Sequence, residues 1–131
     1  MNPYTRSLLQ EIDDEPLSRW VETWGQLEHL IIQVYRSGQV EAAEQEKYKA
    51  LRDDLTRGYP RWQAQLKPHW KDLRAGGENL QADPFLHLTA AASLTAFIGN
   101  WEAMQKLPAA REAINHFLLS RIETGQGRHD S

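Results

Sequence analysis

The chain has 131 residues, of which 40% are hydrophobic and 25% charged, with no cysteine and a formal charge of -3. A fold of this length buries roughly two thirds of the surface its unfolded chain exposes, so one core forms without metals or disulfides. The missing cysteines exclude thiol nucleophiles, thiolate zinc sites, iron-sulfur clusters and disulfide frameworks, and no apolar run reads as a membrane span or secretory signal, so a cytoplasmic protein is expected.

Proline falls where helices are expected to start and glycine where they stop, which reflects the orphan amides of one helix end and the left-handed cap of the other. On this punctuation a first helix begins at Asn2-Pro3 and runs to about Asp13, and a second runs from about Pro16 to Ser37-Gly38. A third spans about 39–57, and a fourth opens at Tyr59-Pro60 and ends before Gly76-Gly77, with Pro68 kinking or splitting it. A fifth opens at Asp83-Pro84 and continues to Lys106, and Pro108 opens a sixth that fades near Glu123. The tail from about Thr124 lacks apolar anchors and is expected to fray. No strand-like alternation and no internal repeat competes with this reading.

Helical wheels assign the helices their depth. In the second helix Leu17, Trp20, Trp24, Leu27, Ile31 and Val34 follow the alternating three and four spacings of a bundle seam. Further apolar residues widen that seam to about half the circumference, so the helix touches more than one neighbour. The third helix has a thin stripe of Val40, Ala43, Tyr48, Leu51 and Leu55 and is expected at the periphery, as one arm of a helical hairpin. The fifth carries no charge between Phe85 and Asn100 and divides into a small-residue face and a large face of Leu86, Leu94, Phe97, Trp101 and Met104, the pattern of a buried helix. The sixth shows Ala110, Ala113, Ile114, Phe117, Leu118 and Ile122 and is expected to fold back on the fifth at Leu107. The expected fold is therefore an all-α, single-domain bundle of five or six helices spanning 1–131. Its order is mostly up-down and antiparallel, with the helices near 16–36 and 84–106 central.

Three groups of residues compete for function. The first is aromatic: Trp24, Trp70 and Trp101 with His87 could line a pocket, the indole N–H groups and a desolvated imidazole orienting a small ligand. The second is basic: Arg57, Arg61, Lys67, Lys71 and Arg74 oppose only Asp72 over 57–74, an arrangement suited to an anionic partner or, less well, to nucleic acid. A near-continuous helix turns Trp62, Leu66, His69, Trp70 and Leu73 away from these cations and into the core, which removes the stacking platforms that a single strand needs.

The third is a set of carboxylate and imidazole pairs four apart, Asp83/His87 and Glu112/His116. Asp83 precedes a proline and suits a helix cap, and Glu112 and His116 lie opposite their helix's apolar stripe, so no metal or cofactor site is read. No nucleophile elbow or phosphate loop is present, and Gly76-Gly77 reads as a helix stop and flexible turn. The informative residues are explained by packing. The expected function is thus a non-catalytic helical interaction module, self-associating or an adaptor, with excess apolar surface on the second helix and Leu119 as candidate contact points. The alternatives are a small-ligand-binding or minor enzymatic bundle with a Trp/His pocket, and binding through the basic face; membrane association is not expected.

Overall fold

A computed structural model describes residues 2–71, 73–75, 78–79, 83–89 and 91–124, with side chains described for all of these except 74–75, 78–79 and 87–89. The fold is an all-α bundle whose described residues form six helices and one pair of two-residue strands. The expected fraying tail beyond Thr124 and the Gly76-Gly77 turn lie outside the described residues.

Helix α1 (Pro3–Leu9) starts where expected, because Asn2 Oδ1 accepts the amides of Tyr4 and Thr5 at 2.9 and 3.3 Å. It ends earlier than the sequence suggests, since Asp14 is drawn into extended backbone to cap the next helix, accepting the Leu17 amide at 3.2 Å. Helix α2 (Glu15–Ser37) stops at Gly38, whose φ of 74° is the left-handed conformation that glycine adopts without strain. Its six seam residues are all buried, as the wheel requires.

Helix α3 (Ala42–Trp70) corrects the two-helix reading of 39–74. It runs through Pro60 and Pro68, and the sequence explains how. Tyr48, Leu51, Leu55, Tyr59, Trp62, Leu66 and Trp70 continue one three-and-four stripe across both prolines, and all seven are buried. Both prolines lie on the opposite, exposed face. The carbonyls that lose their donors belong to Thr56 and Ala64, which are exposed on the same face. The lost bonds thus cost little beside the buried stripe. The segment expected at the periphery is instead one half of a helix packed on both α2 and α6.

After α3, β1 (Arg74–Ala75) pairs antiparallel with β2 (Glu78–Asn79), a ladder too short to leave an alternating pattern in the sequence. The expected central helix over 84–106 is replaced by α4 (Pro84–Thr89), α5 (Leu94–Ile98) and the first turns of α6 (Trp101–Glu123). Ser93 caps α5 through its hydroxyl and Asn100 caps α6 through its amide oxygen, each holding extended backbone that a continuous helix forbids. The chain between α4 and α5 is held from α3. Gln45 accepts the Leu94 amide and donates to the Thr95 hydroxyl, both at 2.9 Å, and Arg52 donates to the Ala91 and Ala92 carbonyls at 2.8 and 3.2 Å.

Pro108 does not open a sixth helix but lies inside α6 on an exposed position, by the same logic as Pro60. The hairpin expected at Leu107 is therefore absent, and Ala103, Leu107, Ala110, Ile114 and Phe117 form one buried stripe. Two ion pairs set the direction of α6: Arg121 meets Asp14 at 3.0 Å and Arg111 meets Glu28 at 2.9 Å, so α6 runs antiparallel to α2. The short 38–41 turn joins α2 to α3, and Trp20 and Leu55, comparably far from it on either side, are in contact, so α3 is antiparallel to α2 as well. Helices α3 and α6 consequently run the same way.

Candidate functional site

The aromatic group does not converge. Trp24 is 1% exposed and packs edge-on against Phe85, with ring centroids 6.0 Å apart, in a cluster completed by Trp20 and Tyr59. Trp70 lies 15 residues beyond Leu55, about 22 Å along α3, whereas Trp24 sits one turn of α2 past the Trp20–Leu55 contact in the other direction. It lines an open cleft with Lys67, Gln63 and Asp83. Trp101 is corrected most sharply: the large face assigned to it dissolves with the helix over 84–106, and the residue is 66% exposed. Helix α4 contains His87, whose side chain lies outside the described residues. The indole nitrogens of Trp24 and Trp70 are both buried without a hydrogen-bond partner, but in separate places.

The basic group keeps the arrangement that a continuous helix implies. Arg57, Arg61, Lys67 and Lys71 are exposed, Trp62, Leu66 and Trp70 are buried, and the Arg74 side chain lies outside the described residues. Two of the cations are engaged locally: Arg57 pairs with Asp54, and the Arg61 guanidinium lies 5.0 Å from the centre of the Trp62 ring. Behind this face, His69 approaches Phe117 at 5.7 Å, and burial, with the neighbouring His116 charge, lowers its pKa.

The carboxylate and imidazole pairs have structural surroundings. Asp83 accepts the Phe85 amide at 2.9 Å and binds the Tyr59 hydroxyl, so it caps α4 as expected from its position before a proline. Burial first, and this bond second, push the Tyr59 pKa far upward. Glu112 and His116 are exposed. Among the described residues no three His, Asp or Glu side chains are grouped to hold a metal ion. No described helix is long and apolar enough to cross a membrane.

One constellation escaped the sequence reading. Glu28 is a carboxylate only 4% exposed, on the seam face of α2 four residues after Trp24 and three before Ile31. Arg111 Nη1 donates to its Oε2 at 2.9 Å from α6. Burial raises the Glu28 pKa, and the guanidinium only partly opposes the shift. The pair forms the floor of a cleft of about 230 Å³ that Asn2, His29, Ile32 and Arg36 complete. The available signal was an acid on an apolar seam, together with an arginine between Ala110 and the buried Ala113-Ile114.

Exposed large apolar groups form the last candidate. Trp101 and Leu86, the latter 49% exposed, stand on α6 and α4, which pack together; Tyr4 and Tyr35 are about half exposed. Leu119, expected as a contact point, is partly buried against the core. Comparison of the chain with protein-family models, curated proteins and solved structures finds no match.

Proposed function

We propose that the protein is a non-catalytic helical interaction module whose contact surface is centred on Trp101. The observation that carries this reading is the contrast among the tryptophans. Trp20, Trp24, Trp62 and Trp70 are each at most 8% exposed, while Trp101 is 66% exposed. An indole left in water forfeits about 2 kcal/mol or more of burial free energy, and tryptophan is the residue most enriched where partners bind tightly. The Asn100 cap fixes the backbone from which Trp101 projects. The basic face is a weaker contact surface, because Arg57 and Arg61 already have partners within α3.

A second copy of the chain is the first partner to test. Native mass spectrometry and sedimentation velocity over a wide concentration range should show a concentration-dependent dimer. Trp101→Ala should weaken it at least about tenfold while leaving the helical circular dichroism spectrum unchanged. A wild-type chain that stays monomeric at every concentration overturns self-association.

A further inference from the structure

The cleft above Glu28 and Arg111 is distant from Trp101, which stands ten residues or about 15 Å earlier along α6, and it has a chemistry of its own. We propose that it binds a small organic carboxylate. Arg111 is fixed before any ligand arrives: its Nη1 is bonded to a carboxylate that is 4% exposed, while the arginine side chain remains 31% exposed. A guanidinium is a planar fork of five donors, so one bonded nitrogen leaves an edge for two parallel bonds to a planar acceptor.

Arg36 reaches the same cleft from two turns further along α2, on the stripe Glu28, Ile32, Arg36. Asn2 has its amide oxygen committed to the α1 cap and therefore offers its nitrogen as a donor. Ile32 supplies an apolar wall for the body of a ligand.

Charge selects among oxyanions. Two guanidiniums outnumber the one buried carboxylate in the lining, so the cleft favours an anion. A phosphate dianion would meet stronger repulsion from the Glu28 carboxylate than a monoanion does. The cleft, at about 230 Å³, has room for a carboxylate with a short carbon body.

The test is a titration of the ¹⁵N-labelled full chain with sodium acetate, followed by proton-nitrogen correlation spectra, with sodium chloride and inorganic phosphate as parallel titrants. Acetate should give saturable shifts confined to the Asn2, His29, Arg36 and Arg111 signals. Arg36→Gln, a change at an exposed position, should weaken the apparent Kd at least about fivefold, and Arg36→Lys should weaken it less. Shifts that chloride reproduces, saturable shifts that Arg36→Gln leaves unchanged, or tighter binding of phosphate than of acetate would each overturn the assignment. The oligomeric state of the Arg36→Gln chain should match wild type, which separates this site from the Trp101 surface.

Discussion

At Gly58 one hydrogen atom decides how closely two helices approach. A Cβ built there lies 2.7 Å from Trp20 Cδ1, and the indole has little freedom to withdraw, since its Nε1 donates to the Leu55 carbonyl at 3.0 Å and its ring stacks on Tyr59. Gly58→Ala gains up to about 1 kcal/mol of helix propensity and incurs about 1–3 kcal/mol of overpacking. The variant should therefore unfold at lower urea than wild type, with an unchanged m value.

Glu28 makes a second residue-scale prediction. Its folded pKa lies above the ordinary value of 4.5, so the folded state holds the proton more tightly than the unfolded chain. Stability associated with this group is present when it is protonated and is lost as pH rises from that ordinary value through the raised folded one. Glu28→Gln removes the titration and keeps an acceptor for Arg111. The Tm of the variant minus that of wild type should accordingly grow between about pH 4 and about pH 7 in calorimetry.

Prolines carry the argument at the scale of the element. Punctuation predicts helix starts or breaks at Pro60, Pro68 and Pro108, yet α3 and α6 pass through all three, each proline at an exposed position. The decisive signal is an apolar stripe that keeps its phase across each proline, and phase outweighs punctuation. Pro60→Ala tests the corrected reading. In a helix interior it restores a ladder donor and improves propensity, less the chain entropy that proline removes from the unfolded state, for a net gain of about 1–2 kcal/mol in urea unfolding. Proline at the first position of a separate helix would give no such gain. The opposite error occurred over 84–106, where an uncharged run with two apolar faces looked like a single buried helix. Ser93 and Asn100 divide it, and short side chains that cap a helix are easily read as its interior.

For the whole molecule, the sequence carried the all-α architecture, the seam of α2, the stripe of α6 and the outward turn of the basic face, because these depend on local periodicity. It did not carry the shared direction of α3 and α6, the burial of Glu28 or the exposure of Trp101. Those follow from which distant segments meet, and one chain's periodicity holds no record of that.

The hold of α3 on the 91–95 segment extends this to local stability. Gln45, Tyr48 and Arg52 occupy successive turns of α3, and together they satisfy backbone groups of Ala91, Ala92 and Leu94 some 40–50 residues later in the chain. Those backbone groups find their partners on α3, so the placement of α5 depends on that helix. Loss of these contacts, as in Gln45→Ala combined with Arg52→Ala, should therefore raise amide exchange in α5 before it does so in α2 or α3.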